Sequence, residues 1–352
     1  MDFTFNDDQL AFREAISRFL MTEAAPEMLR EIWETDAGRS PDLRNKIAAQ
    51  GLTALSIPEE DGGLGMDDVA WALMTQELGY YAIPDSLADT AYVAVGLLAA
   101  LDPAHPARTS LLPRIGEGSL RLAIGHPVNP LVSDAQLAEV LILPHGDEIH
   151  LLPRAAVDVE ANPSIDASRR LGRVTWHPTP ATLLVGGERG RAVQVQLLDR
   201  GALSVAGQLL GLAQRMLDLS VDYVAQRKQF GKPIGSFQAV KHHLADVARQ
   251  IEQAKPVLYR AAHGLARGDV SASLWVSQAR LACCEASWVA ARKGIQVHGA
   301  MGYTWEVDLQ MFMKRAWALD ASWGDRGFHK SRVGAYLFAD AARLGPGHTF
   351  ED

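Results

Sequence analysis

The stretch QRKQFGKPIGSFQAVKHHLADVA, residues 226–248, concentrates basic and aromatic side chains that could form a binding surface. It contains four basic residues, three glutamines and two phenylalanines, although the whole chain has a formal net charge of −8. Such a surface would hold a ligand by charge and by aromatic packing. The other interpretation is the solvated face of a helix, because most exposed charges contribute little. The residues alone leave both interpretations open.

Other residues have types that bind metals or act as nucleophiles, but their spacing does not favour either role. His242 and His243 are adjacent, and neighbouring side chains of a helix diverge, so they predict no metal site. Cys283 and Cys284 are also adjacent in a helical pattern, which predicts reduced core residues. His298 ends an apolar helix and is interpreted as a core side chain rather than a catalytic one.

Composition and charge restrict the class of protein. A length of 352 residues exceeds one average domain and predicts two or three modules. The net charge of −8 argues against a general nucleic-acid binder. The opening MDFTFNDDQL has neither the basic nor the apolar segment of a signal peptide, and no run of about 18 apolar residues predicts a membrane span. Together with reduced cysteines, these features predict a cytoplasmic protein without nucleic-acid or membrane partners.

The first region, residues 1–118, is predicted to be a helical domain. Asn6 and Gln9 have the spacing of a capping box ahead of a first amphipathic helix. The segment IPEEDGGLGM, residues 57–66, is typical of a loop because it contains a proline and three glycines. A second amphipathic helix is predicted over about residues 67–79.

The second region, residues 119–200, is predicted to be a small β-domain, because short apolar runs alternate with turn residues. The run Arg169, Arg170 and Arg173 is interpreted as the edge of a strand, and GGERGR, residues 186–191, as a turn. The predicted strands are RLAIGHPV, EVLILP, EIHLLP, GRVTW and ATLLVGG.

The third region, residues 201–352, returns to long helices. Gly207 and Gly211 lie four residues apart and are small enough for close contact between helices, whereas Pro256 predicts a kink. A last helical stretch to about Leu344 follows HGAMGYTWEVD. The long helices are predicted over about residues 202–227, 236–266 and 269–297.

Three motifs resemble those of the acyl-CoA dehydrogenase family, and the resemblance covers nearly the whole chain. Residues 226–248 resemble the R-x-x-F-G-x-x-I/L-x-x-x-Q signature, residues 295–316 the Q-x-x-G-G-x-G-Y/F-x-x-E element, and residues 57–66 the P-E-x-x-G-G-x-G loop. SIDASRRLGRVTW, residues 164–176, resembles the middle domain of an actinobacterial branch. The resemblance implies a mainly α fold with a small β-module: an N-terminal helical domain, a reduced middle β-domain and a C-terminal four-helix bundle.

The resemblance also implies that FAD is bound at a subunit interface. Arg227 would reach the pyrophosphate, since a guanidinium is permanently charged and holds two oxygens at once. Phe230 and Phe237 would pack near the adenosine, and small residues near Gly299 would let the backbone approach the cofactor. The implied cofactor-binding residues are Arg227, Gln229, Phe230, Phe237, Val240, Gln296, Val297, Gly299 and Ala300.

The chain departs from the family at the catalytic base, which is normally a glutamate. The ungapped match near the C-terminus places Gly324 at one usual glutamate position, and counting back from Arg227 places Gly201 at the other. No residue is therefore predicted to be catalytic. Asp325 is a weak candidate, because its usual interpretation is a helix N-cap, and Asp199 is interpreted as a turn residue.

The middle region also lacks the family's T-E-P-x-x-G-S-D and W-I-T-N-G-type segments, which hold the reactive ring of the flavin. This pattern resembles the non-catalytic subunit of two-gene, α2β2 acyl-CoA dehydrogenases, which often act on steroid side-chain thioesters. The resemblance implies an acyl-CoA substrate and a partner subunit that supplies the glutamate. Two alternatives stay open: a self-sufficient dehydrogenase with a non-standard base such as Asp325, and a non-enzymatic acyl-CoA-binding or structural protein.

Overall fold

A computed structural model describes residues 4–339 and Gly345 of the chain. The remaining residues of the predicted N- and C-terminal domains, 1–3, 340–344 and 346–352, lie outside the described residues. The predicted order of a helical region, a small β-module and long helices is confirmed. Within the described part of the chain, no helix is both long and apolar enough to cross a membrane.

The N-terminal region consists of short helices whose ends follow local capping chemistry. The Asn6 side chain accepts from the Gln9 backbone N–H at 2.8 Å, and the Gln9 side chain accepts from the Asn6 N–H at 3.1 Å. This pair is the predicted capping box. The helices are α1 (Asp7–Glu23), α2 (Pro26–Glu34), α3 (Pro41–Ala49), α4 (Asp68–Tyr80), α5 (Val95–Ala99) and α6 (Pro106–Gly116), and a π-helical turn over Asp89–Ala94 leads into α5.

Helix α4 is buried on nearly every side, so the prediction that it is amphipathic is wrong. Its polar residues find partners inside the protein: Asp68 accepts from the Tyr92 hydroxyl at 2.5 Å, and Glu77 pairs with Arg13 at 2.8 Å. The sequence pattern shows polar residues but not their partners, which come from other helices. Tertiary packing therefore decides the burial of α4.

The middle region forms two small sheets that pack around their own apolar cluster. The strands are β1 (Leu122–Ile124), β2 (Val132–Ser133), β3 (Val140–His145), β4 (Glu148–Pro153), β5 (Asp158–Asn162), β6 (Leu171–Thr175) and β7 (Leu183–Val185). One sheet has the order β1-β3-β4-β7 and the other the order β2-β6-β5. The five predicted strands are present, and two others, β2 and β5, were not predicted.

The first long helix, α7, spans Gly187–Gln226 and is 40 residues long. Its predicted start near residue 202 is wrong, and so is the predicted turn over residues 186–191. Gly190 has a packing role instead, because its Cβ would overlap the Asp147 carbonyl oxygen, whereas Gly187 begins the helix with a positive φ of 63°. The boundary predicted between residues 200 and 201 consequently falls inside α7.

Helices α7, α8 and α9 pack along one another, and α4 lies against α7. Glycines allow α4 and α7 to cross closely, because Cβ atoms on Gly79, Gly207 and Gly211 would overlap the facing helix. The close contact predicted for Gly207 and Gly211 is thus confirmed. The remaining elements are the two-residue strands β8 (Lys228–Gln229) and β9 (Lys232–Pro233), α8 (Gln238–Arg267), α9 (Ala272–His298), α10 (Leu309–Leu319) and α11 (Arg326–Leu337).

Candidate functional site

The motif around Arg227 forms a tight hairpin at the end of α7. Strands β8 and β9 pair in register, and Phe230 and Gly231 form the two-residue turn with φ of 52° and 78°. Positive φ at both positions is the geometry of a type I′ turn. The Phe230 ring at the tip is 91% exposed. A large apolar side chain displayed in this way is typical of a contact surface.

Arg227 is exposed, and no described residue forms a hydrogen bond or ion pair with its guanidinium. All five of its N–H donors are therefore available to a ligand. Gln229 is also exposed, whereas Phe237 and Val240 are half-buried at the start of α8. Lys232 lies 4.4 Å above the Phe237 ring, which adds a second positive charge to this aromatic surface.

The second motif lies next to the hairpin, because the ends of α7 and α9 are in contact. The Tyr223 ring stacks on His298 at 4.1 Å, and its hydroxyl donates to the His298 carbonyl at 3.4 Å. His298 is buried, its Nδ1 lies 2.8 Å from the Gly294 carbonyl oxygen, and burial lowers its pKa. The interpretation of His298 as a core residue is confirmed.

Within the second motif, Gln296, Gly299 and Ala300 are exposed. Gly299 has φ of 61°, and no atom lies within 4 Å of the place where its Cβ would be, so a ligand can approach the backbone there. Val297 differs, because its side chain is only 7% exposed and packs into the bundle. Any contribution of Val297 to a ligand site falls to its backbone.

These two segments make up what we call the Arg227 surface, in which Phe237 and Val240 are half-buried and the other residues are exposed: Arg227, Gln229, Phe230, Phe237, Val240, Gln296, Gly299 and Ala300. An unpaired guanidinium, an exposed and a half-buried aromatic ring and an open glycine backbone fit the pyrophosphate and adenosine parts of FAD. The surface faces solvent on one side. A cofactor held only by these residues would lie open to water, so this face could form only one part of a dinucleotide site.

Gly201 and Gly324, which were predicted to stand at the family's two glutamate positions, are both closed by packing. A Cβ on Gly201 would lie 2.5 Å from Cε2 and Cε3 of Trp323. Gly324 has φ of 88°, and its Cβ would lie 2.5 Å from a Phe328 ring carbon. Both glycines are buried. A longer side chain therefore has no space at either position, and at Gly324 it would also be strained.

Trp323 is held firmly in this place. Its backbone N–H donates to the Asn129 side chain at 2.7 Å, and its indole Nε1 donates to Asp89 at 3.1 Å. Its φ of 54° lies in the left-handed region, which is rare for a large residue and persists where the surroundings fix it. The indole is the side chain that occupies the first vacated glutamate position.

Neither aspartate that was considered as a substitute base is placed for that role. Asp325 is exposed and caps α11 by accepting from the Phe328 N–H at 2.7 Å, as predicted. Asp199 lies within α7, so its interpretation as a turn residue is wrong. Asp199 is buried and accepts from Arg332 at 2.9 Å and from the Ser273 hydroxyl, which makes it a structural partner.

Asp89, which sequence analysis missed, is the carboxylate that the fold brings beside Trp323. Burial raises the pKa of Asp89 to about 6, against the hydrogen bond from Trp323 and the charge of Arg169. It begins the π-helical turn, a feature frequent at functional sites. Two adjoining cavities of about 50 and 170 Å³ share Asp89, Ser133, Arg169, Ser322 and Trp323 as lining residues. No local motif in the sequence marks Asp89.

The arginine run of the middle domain is also placed differently from its prediction. Arg169 and Arg170 precede β6 and are half-buried, and only Arg173 lies on the strand with an exposed side chain. Arg169 donates to the Ala318 carbonyl at 2.7 Å and to the Ser133 hydroxyl at 3.1 Å. The interpretation as a strand edge is wrong for these two, because tertiary contacts with α10, β2 and the end of α2 cover them.

The remaining candidates behave as structural residues. Cys283 and Cys284 are free and buried, and burial raises their thiol pKa values to about 12 and about 11, as expected of core cysteines. His243 lies 2.9 Å from the Lys293 ammonium. In the part of the chain that the structure describes, no group of three His, Cys, Asp or Glu side chains could hold a metal ion.

Comparison with known proteins identifies the family. The acyl-CoA dehydrogenase N-terminal domain matches residues 6–102, and the C-terminal domain matches residues 188–337. Acyl-CoA dehydrogenase IpdE2 of Mycolicibacterium smegmatis is 33% identical over 314 residues, which cover 88% of this chain and 93% of the relative.

Solved structures share the fold at lower identity. A chain of the ChsE4-ChsE5 complex from Mycobacterium tuberculosis superposes with a TM-score of 0.85 at 22% identity, covering 96% of this chain and 99% of that one. The FAD complex of PigA superposes with a TM-score of 0.84 at 19% identity, with coverage of 96% and 99%. With two domain matches and a full-length relative in agreement, this chain belongs to the acyl-CoA dehydrogenase family.

Proposed function

We propose that this chain is a subunit of an FAD-dependent acyl-CoA dehydrogenase complex that desaturates an acyl-CoA thioester between Cα and Cβ. In this proposal the chain contributes the Arg227 surface to a flavin held mainly by a partner subunit, and the partner supplies the catalytic glutamate. The proposed assembly is an α2β2 heterotetramer. A steroid side-chain thioester is the substrate class that the two-gene resemblance suggests.

The observation that carries the proposal is the closure of both glutamate positions by packing. The indole of Trp323 fills the space in front of Gly201, and Gly324 has a left-handed backbone with Phe328 against it. A desaturation of this kind needs a base within hydrogen-bond reach of the α-proton. This chain offers no carboxylate at either usual position, which supports a base supplied by another chain.

The Arg227 surface supports the second half of the proposal. Its guanidinium, its aromatic rings and the open backbone at Gly299 face solvent rather than the chain's own cavities. The guanidinium would hold the pyrophosphate, and Phe230 and Phe237 would cover the adenosine. When bound, FAD supplies the acceptor for the hydride that leaves Cβ. An interface site explains why an acidic chain keeps this exposed basic and aromatic patch.

The test is co-expression with a full-length family member that carries a glutamate and is encoded next to this gene. We expect the chain to be colourless when purified alone and the complex to show flavin absorbance. Arg227→Ala should weaken FAD binding by about 2–3 kcal/mol, roughly 30- to 150-fold, which is the range for a lost charge-assisted pair. Arg18→Ala is the matched control, since Arg18 is exposed and pairs only with Glu14.

Two outcomes would contradict the proposal. A yellow homo-oligomer with stoichiometric FAD would show that the chain holds the whole cofactor and would support a self-sufficient dehydrogenase. Equal FAD occupancy in the Arg227→Ala and Arg18→Ala complexes would show that the Arg227 surface does not contact the cofactor.

A further inference from the structure

A groove lies between the end of α1, helix α2 and the start of α3. Its volume is about 470 Å³, which exceeds the volumes of the two cavities beside Asp89. We call it the α2 groove, and its apolar lining consists of Met28, Ile32, Pro41 and Leu43. A cavity of about 150 Å³ takes a molecule the size of benzene, so the α2 groove has room for a phenyl side chain.

Helix α2 borders this groove with carboxylates. Glu31 lines the groove, and Glu27 and Glu34 lie one turn to either side of it on the same face of the helix. All three side chains are exposed, and no Lys, Arg or His of the described residues lies within ion-pair distance of them. The three carboxylates extend over about 10 Å of the helix axis. The α2 groove therefore has a stripe of unpaired negative charge along one side.

The basic residues that line the α2 groove are matched by other carboxylates. Lys46 lies 2.8 Å from Glu23 and 3.0 Å from Asp42, and Arg39 is buried in an ion pair with Asp134. The carboxylates of α2 are consequently available to cations from outside the chain. An apolar groove with such a rim complements an apolar side chain that is flanked by positive charges.

The hairpin of β8 and β9 has this complementary composition. The Phe230 ring at its tip is 91% exposed, and Arg227, Lys228 and Lys232 are exposed around it. Among the described residues, no Asp or Glu lies within ion-pair distance of these three cations, and Lys232 lies over the Phe237 ring. The hairpin thus presents three cations around one ring, whereas α2 presents three carboxylates beside one apolar groove.

We propose that the α2 groove docks the β8–β9 hairpin of a second copy of this chain. The Phe230 ring would lie on the apolar lining, and Lys228 and Lys232 would face the carboxylates of α2. Within one chain both surfaces are exposed to solvent, so the hairpin does not fill its own groove. A contact between two different surfaces forms either a reciprocal pair or a head-to-tail series of chains.

This self-association goes beyond the proposed function and does not depend on it. The hairpin belongs to the Arg227 surface, so a partner subunit that covered this surface would compete with the second copy. The association itself needs neither FAD nor a partner subunit, and it is measured on the chain alone. A single hairpin in a groove makes a small interface, which is typical of weak and transient contacts.

The test is a charge exchange in the full chain, purified alone and followed by sedimentation velocity over about 1–100 µM, the range suited to a weak contact. The groove variant carries Glu27→Lys and Glu31→Lys, and the hairpin variant carries Lys228→Glu and Lys232→Glu. We expect the average mass of the unchanged chain to rise with concentration and that of each variant alone to stay constant. An equimolar mixture of the two variants should restore the rise, because each acidic surface then meets a basic one.

The mixture separates docking from general charge effects. Both variants keep a net negative charge, since four units of charge in either direction do not cancel the −8 of the chain, and they would otherwise repel each other. Asp158→Lys with Glu160→Lys is the matched control, because both residues are exposed on β5. This control should associate like the unchanged chain.

A further variant tests the apolar anchor. Phe230→Ala should weaken the association at least about tenfold, as expected for truncation of a central interface residue. Val270→Ala is its control, because Val270 is fully exposed between α8 and α9. Four results would each overturn the proposal: a constant mass of the unchanged chain, a concentration-dependent mass of either charge variant alone, a mixture that does not associate, or Phe230→Ala associating like Val270→Ala.

Discussion

Gly201→Ala is expected to destabilise the protein, because the indole of Trp323 occupies the space in front of Gly201. The added Cβ would lie 2.5 Å from two ring carbons, and the ring is pinned by Asp89 at 3.1 Å and by the Asn129 contact to its backbone at 2.7 Å. Overpacking of a core costs about 1–3 kcal/mol, and alanine in a helix interior gains about 1 kcal/mol over glycine. A rigid, buried ring favours the upper end of the cost, so the expected net loss is about 2 kcal/mol.

The assay is urea unfolding followed by circular dichroism, with the m-value used to check that the denatured state is unchanged. Gly334→Ala in α11 is the matched control, because the nearest atoms to its Cβ would be ring carbons of Phe338 at 4.0 Å. That change should increase the free energy of unfolding by about 0.5–1 kcal/mol. If Gly201→Ala also increased it, the indole would not close this position.

A double-mutant cycle then assigns the effect to Trp323. Trp323→Ala alone should cost about 3–5 kcal/mol through the cavity it leaves. In that background Gly201→Ala should stabilise by the helix gain of about 1 kcal/mol, which gives a coupling energy of about 3 kcal/mol. Additive losses would refute the packing explanation, since they would show that the two residues do not share this space.

Three further outcomes are expected. The folded-state pKa of Asp89 is raised from 3.8 to about 6. The contribution of this carboxyl group to the free energy of unfolding is therefore fully present below pH 3.8 and is lost as the pH rises through about 6. Asp89→Asn should accordingly raise the free energy of unfolding by about 2 kcal/mol near pH 8 and by much less near pH 4, and a gain independent of pH would refute this. Asp325→Asn in the complex should leave turnover within several-fold, because Asp325 is a helix cap. Gln in place of the partner's glutamate should lower the turnover rate by about 10²–10⁴. Loss of turnover on Asp325→Asn would make this chain the catalytic one. Light scattering of the co-expressed complex should give the mass of a dimer of dimers, and a monomer at micromolar concentration would contradict the assembly.

Several features of this protein could be predicted from the sequence because they depend on neighbouring residues. The capping box of Asn6 and Gln9 spans three positions, and the alternation of short apolar runs with turns marked five of the seven strands of the middle region. The three motifs over residues 57–66, 226–248 and 295–316 together indicated the family, since each is a continuous stretch of sequence. The resemblance likewise predicted glycines, Gly201 and Gly324, at the two positions where the family carries its glutamate.

Predictions from the sequence were wrong where the burial of a segment depends on residues far away in the chain. Helix α4 looks amphipathic in sequence and is buried, because other helices supply partners for Asp68 and Glu77. Helix α7 begins at Gly187, in a segment whose glycines suggested a turn. One of those glycines, Gly190, reflects the close approach of the Asp147 backbone, which no local pattern reveals.

What the sequence by itself determined is the family, the order of the three regions and the absence of a glutamate at both usual base positions. Only the tertiary structure showed that these positions are filled rather than merely vacant. Trp323 and Asp89 are 234 positions apart, yet their hydrogen bond fixes the indole against Gly201. Such contacts arise from long-range packing, whereas sequence periodicity reports only which residues of one segment share a face.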